Sequence, residues 1–124
     1  MDAGTTFLLS AVDIHLWVII SDPQMDPRNV LIVNLTSLDP RKEQACVLKV
    51  GDHPWIRHDT CINYGDSQVT TLDKLLAAQN ASALNIQRPV SPDILRRIRE
   101  GAMNSTKMPL DNADILIRQG LVQA

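Results

Sequence analysis

Apolar residues are arranged differently in the two halves of this chain. In the first half they come in short, β-branched runs cut by Asp-Pro turns; after residue 70 they recur every three or four positions. Residues 14–20 (Ile-His-Leu-Trp-Val-Ile-Ile) form the first such run, and side chains branched at Cβ pack well on a pleated strand. Ser21-Asp22-Pro23 stops it, and Asp26-Pro27-Arg28-Asn29 makes a second turn, where proline fixes φ and aspartate bonds the nearby backbone. Residues 30–36 then predict a buried strand, Leu38-Asp39-Pro40-Arg41 a further turn, residues 45–50 a third strand and residues 61–64 a short fourth. Connections this short join antiparallel strands, because a parallel pair needs a crossover of roughly a dozen residues or more. A small barrel or strongly bent sheet is the expected closure, since it removes exposed strand edges.

The second half reads as helices. Thr70 or Thr71 can cap a helix over residues 72–79 with Leu72, Leu75 and Leu76 on one face. The next is better marked: Ser91 at the N-cap, Pro92 at the first helical position, and Asp93 complementing the helix dipole. Ile94, Leu95, Ile98 and Ala102 form its apolar stripe, with Arg96, Arg97 and Arg99 projecting on other faces. Residues 80–89 are expected to be a connector, and a last helix runs through Ile115 and Ile117 within residues 110–124. The expectation is one domain over residues 1–124, mainly β with α: a strand-rich barrel over about residues 7–69 and a helical part over about 70–124.

Composition narrows the partners. A formal net charge of -2 argues against a surface coated in basic residues for duplex DNA, while leaving room for a local basic groove. Cys46 and Cys61 are too few and too isolated for a disulfide framework or zinc knuckle. The longest apolar run, residues 16–20, falls far short of the roughly 20 residues that span a bilayer. No Lys or Arg precedes the first apolar run, so no signal peptide is expected. These features predict a soluble cytoplasmic protein without a membrane partner, in which the Asn-x-Ser/Thr triplets at Asn34, Asn80 and Asn104 stay unmodified.

The chemistry is crowded between Gly51 and Tyr64. In a chain with 3 % aromatic residues, this stretch holds two of three histidines, one of two tryptophans and the single tyrosine. Gly51 and Pro54 set its backbone by turn chemistry. His53 stands between Asp52 and Pro54, and His58 before Asp59, so each imidazole has a carboxylate that could orient it. Two histidines can act as acid and base in phosphodiester cleavage, with Arg57 holding the phosphate. Trp55 or Tyr64 can stack on a base of a single strand. Outside the stretch, His15 sits in the first apolar run, and Thr36 and Ser37 place two hydroxyls at a strand end. Each has a plainer use: His15 bonding a backbone carbonyl, Thr36 and Ser37 capping a turn, Trp55 and Ile56 plugging the core. His53, His58, Asp59 and Cys61 match no standard zinc spacing, so neither metal nor cofactor is expected.

Three runs carry a family resemblance: His15-Leu-Trp-Val-Ile-Ile-Ser-Asp22, Val30-Leu-Ile-Val-Asn-Leu-Thr-Ser37 and Gly51-Asp-His-Pro-Trp-Ile56. Over roughly residues 12–98 the chain resembles the PemK/MazF-like toxins of bacterial type II toxin–antitoxin systems, as a divergent branch. The resemblance implies an SH3-like β-barrel with helices, a homodimer, metal-independent cleavage of single-stranded RNA, and restraint by a cognate antitoxin protein. It aligns Leu35-Thr36-Ser37 with the strand end that bears a catalytic Thr or Ser. The family's early basic residue has no counterpart, because residues 1–14 contain no Arg or Lys; His15, His53 or Arg57 would take its place. The implied site is catalytic His53, Thr36, Ser37 and His15 with substrate-binding Arg57, His58, Trp55 and Tyr64. The alternative is a non-catalytic barrel module that binds nucleic acid or a protein partner through the same loop.

Overall fold

The turn signals set the order of the elements. In the computed structural model, which describes residues 1–10 and 15–123, these are β1 (Thr6–Leu9), β2 (Trp17–Ile19), β3 (Val30–Ser37), β4 (Val47–Leu48), β5 (Thr60–Thr70), α1 (Leu72–Asn80), β6 (Leu84–Gln87), α2 (Pro92–Asn104) and α3 (Leu110–Arg118). The strands form one six-stranded sheet in the order β4-β5-β3-β2-β1-β6, and every neighbouring pair is antiparallel. The fold is α+β. Among the described residues no ladder joins β4 to β6, so the sheet is open where a closed barrel was expected.

β3 is apolar along most of its length because both of its faces are covered. Leu31, Val33 and Leu35 point into a core shared with Ile62 and Tyr64 of β5, Ile94 and Ile98 of α2, and Leu116 of α3. Val30 and Ile32 point the other way, into a second core with Phe7, Trp17, Ile19 and Leu75 of α1. The period-2 alternation of a strand thus feeds two cores, with α1 on one face and α2 and α3 on the other.

Helix ends follow the capping residues. Thr71 accepts from the Lys74 N–H at 3.1 Å and Ser91 from the Ile94 N–H at 3.2 Å. Ile94, Ile98 and Ala102 are buried as their spacing required, while Leu95 is half-buried and Leu76, expected on the buried face of α1, is exposed. The α2 arginines project on faces other than the apolar stripe, and two of them are tethers. Arg97 Nη2 donates to the Val47 carbonyl at 2.8 Å and Arg99 Nε to the Ile20 carbonyl at 2.7 Å, fixing α2 to β4 and to the end of β2.

Three strand expectations change. Residues 80–89, expected as a connector, contain β6, which pairs with β1 from Thr6↔Gln87 to Leu9↔Leu84. β6 carries two amide side chains in four residues, and its Leu-Asn-Ile-Gln alternation is too short to stand out. The 45–50 strand shrinks to Val47–Leu48, whereas the brief 61–64 strand grows to the 11 residues of β5. The polar half of β5 is held by pairing with β3 rather than by its own propensity, with a register shift between Ile32 and Asn34. The first expected strand is seen as β2; Ile14, its first residue, lies outside the described residues.

Glu43 anchors the α2–α3 connection by accepting from Ser105 Oγ at 2.5 Å and from the Thr106 N–H at 2.7 Å. Partial burial opposes its ionisation, but these hydrogen bonds outweigh it and hold the carboxyl below the usual glutamate range. Where α2 crosses the sheet, Gly101 is needed for close approach: a Cβ there would lie 2.8 Å from Cys46 Cβ and 2.9 Å from the Ala45 carbonyl oxygen. Gly101→Ala is therefore expected to destabilise the fold by roughly 1–3 kcal/mol, the range for overpacking a core. Urea denaturation checks this, with Gly65→Ala, whose nearest contact would be an ordinary 3.5 Å, as the mild control.

Candidate active site

The end of β3 meets the start of β5, with Thr36 opposite Cys61 and Ser37 opposite Thr60. Successive strand residues point to opposite faces, so Thr36 and Ser37 diverge. Ser37 opens onto a cleft of about 420 Å³ lined by His15, Ser37, Trp55, Arg57, His58 and Thr60. Thr36 opens onto a different cleft, of about 250 Å³, beside Arg41, Lys42 and Lys107. Its hydroxyl accepts from Lys42 Nζ at 3.0 Å, and the same ammonium donates to the Ser37 carbonyl at 2.8 Å.

In the larger cleft Ser37 Oγ lies 2.7 Å from His58 Nε2, and both residues are exposed. His15 Nδ1 sits 3.0 Å from the Leu35 carbonyl oxygen. A carbonyl only accepts, so Nδ1 carries a proton and the basic nitrogen of neutral His15 is Nε2. The carbonyl contact also matches the plainer reading of His15. Thr60, which the sequence did not single out, is buried and donates through Oγ1 to the His58 carbonyl at 2.9 Å, fixing the backbone that carries the imidazole. Among the described residues no carboxylate lines the cleft and Arg57 makes no ion pair.

Asp52 and Asp59 do not orient the neighbouring His53 and His58. Asp59 pairs with Lys49 Nζ at 3.2 Å, and Asp52 accepts from the Lys49 N–H at 2.8 Å while facing Arg97 at 3.6 Å. Ser37 takes the orienting place at His58 instead.

Two expected site residues have structural duties. His53 is 5 % exposed, its Nε2 donating to the Arg88 carbonyl at 2.6 Å and its Nδ1 accepting from the Trp55 N–H at 3.0 Å. With both ring nitrogens spent on backbone groups, His53 latches the 51–56 loop to the end of β6 rather than shuttling protons. Tyr64 is 1 % exposed and donates to the Ile98 carbonyl at 2.7 Å, so it cannot stack on a base; burial also pushes its phenol well above the ordinary range. Trp55 is half-buried against the main core and keeps part of its ring in the cleft. The structure thus gathers His15, Ser37, Trp55, Arg57 and His58 in one cleft, leaves Thr36 and Tyr64 out of it, and sets His53 behind Trp55 as a latch. Among the described residues no three His, Cys, Asp or Glu side chains converge as a metal-ligand set.

Compared with known proteins, the chain matches no family model, and no curated protein has significant sequence similarity to it. No described helix is long and apolar enough to cross a membrane.

The latch geometry predicts that His53→Ala acts through the fold. It leaves the Trp55 N–H and Arg88 C=O without their partner, and a buried unsatisfied group costs about 1–3 kcal/mol. A lowered urea midpoint is the expected result; an unchanged one would mean that the loop holds without the latch.

Proposed function

We propose that this chain is a metal-independent endoribonuclease of the PemK/MazF-like toxin type, cutting single-stranded RNA in the His15–Ser37–His58 cleft. The observation that carries the reading is the cleft itself: two histidines and an arginine, with a hydroxyl 2.7 Å from one imidazole and, among the described residues, neither an ion pair for the arginine nor a carboxylate in the lining. Phosphodiester cleavage needs a base for the ribose 2′-hydroxyl, an acid for the 5′-oxygen, and a cation on the phosphate. His15, basic at Nε2, takes the 2′-hydroxyl proton. The O2′–phosphorus bond forms as the phosphorus–O5′ bond breaks, and protonated His58 gives its Nε2 proton to the leaving 5′-oxygen. The products are a 2′,3′-cyclic phosphate and a 5′-hydroxyl. Ser37 orients His58 between turnovers, and Arg57 neutralises the charge that grows on the non-bridging oxygens.

The same reading bends the open antiparallel sheet into an SH3-like barrel and places the protein in the cytoplasm with a cognate antitoxin. It also implies a homodimer, supported by β6, an end strand of the sheet with Ile86 41 % exposed. Sedimentation velocity at tens of micromolar should then give a dimer, and a monomer there removes this part of the reading.

The deciding experiment is cleavage of a fluorescent single-stranded RNA in EDTA. His15→Ala and His58→Ala should each lower the rate by about 10²–10⁴-fold, the usual contribution of a positioned acid or base. His58→Ala, at an exposed residue, should melt close to wild type, while His15→Ala also gives up the 3.0 Å bond to the Leu35 carbonyl. RNA that is bound but left uncut by the wild-type chain would favour the non-catalytic binding module, which Arg57 beside Trp55 in the cleft also suits.

A further inference from the structure

A second cleft, of about 380 Å³, adjoins the first and shares Trp55 and Arg57 with it; His53, Gln87 at the end of β6 and the following Arg88 complete its polar lining. Among the described residues neither cleft has an acidic lining residue, and neither Arg57 nor Arg88 forms an ion pair. Two guanidiniums without an ion pair among the described residues thus line one cleft together with a half-buried indole, in a chain of net charge -2. The Arg88 backbone is firmly held, because its carbonyl accepts from both Thr6 Oγ1 and His53 Nε2 at 2.6 Å, while the residue itself is exposed. The guanidinium therefore hangs from a fixed point beside the tryptophan. The His53 latch ties both sides of this cleft together.

The geometry points to a second nucleotide subsite, in which a single-stranded nucleic acid places one base on Trp55 and the adjoining phosphate on Arg88, continuous with the nucleotide held at Arg57. This rests on the nucleic-acid part of the reading above and not on cleavage. Stacking accepts any base, and Gln87, which lines the same cleft and carries an amide that can both donate and accept, is the side chain suited to discriminate between bases. A duplex is excluded because paired bases cannot lay a face on an indole set between two clefts.

The test is titration of the full chain with a short single-stranded oligodeoxythymidylate, which lacks the 2′-hydroxyl and so reports binding without cleavage. Tryptophan emission should be quenched through Trp55, since Trp17 is only 6 % exposed. Trp55→Ala should abolish the quench and weaken binding, read by anisotropy of the labelled strand, roughly 5–150-fold. Arg88→Gln should weaken binding and reduce the slope of log affinity against log salt by about 0.7, the share of one single-strand phosphate contact. Arg96→Gln, on the far-side ion pairs of α2 with Asp93 and Glu100, is the charge control and should bind as wild type. If Trp55→Ala fails to fold, Arg88→Gln decides alone. Unchanged binding and salt slope in Arg88→Gln, equal binding of duplex, or no binding of the single strand by wild type overturns the subsite. Binding of the oligonucleotide by a protein that cuts no RNA leaves the subsite standing and removes the nuclease reading instead.

Discussion

The antiparallel ladder between β3 and β5 is the constraint on which the rest depends. β3 is buried from Val30 to Leu35, with apolar side chains on both faces, so neither face can be left to water. One is covered by α2 and α3 and the other by α1, which fixes where the helices must dock. Only the last two residues of the strand, Thr36 and Ser37, escape that cover. The site lies where the core runs out, on a backbone that the ladder holds rigid, and that is the usual division of labour between scaffold and functional side chains.

The residue types in the 51–64 stretch are divided between holding the fold and facing the cleft, and burial decides which does which. His53 and His58 look alike in sequence, each beside an aspartate. His53 lies under the loop, where two backbone groups lack partners, and it satisfies both of them. His58 lies at the rim, where water competes for its nitrogens and a hydroxyl from β3 approaches. Tyr64 and Trp55 divide in the same way, one sealed under α2 and the other half in the cleft. A buried polar side chain is committed to the groups it satisfies; an exposed one is available for chemistry.

Charge is divided no less unevenly. Most acidic residues near the site are already matched: Asp52 and Asp59 by Lys49 and Arg97, and Asp39 by Arg41 and Lys42. Among the described residues Arg57 and Arg88 are left over. An overall charge of -2 therefore coexists with a local positive groove, because affinity for a phosphate follows the nearest unneutralised cations and not the sum over the chain.

What the sequence determined by itself was local. Turn residues at Asp22-Pro23, Asp26-Pro27 and Asp39-Pro40, the caps at Thr71 and Ser91, the continuous apolar run of β3 and the period of α2 each act on neighbours within a few positions, so each could be read from the chain. The gathering of His15, Ser37, Arg57 and His58 at one end of the sheet was legible only as a list of candidates. Only the tertiary structure decided which of them meet: Ser37 reaches His58 across 21 positions, His53 reaches Arg88 across 35, and β1 pairs with a β6 that begins 75 residues after β1 ends. It also decided that Thr36 and Ser37, adjacent in sequence, serve different clefts. The physical reason is that a cap or turn is stabilised by groups the chain already holds close together. A long-range contact forms only when burial of the two cores outweighs the entropy of bringing distant segments together, and that balance belongs to the whole fold.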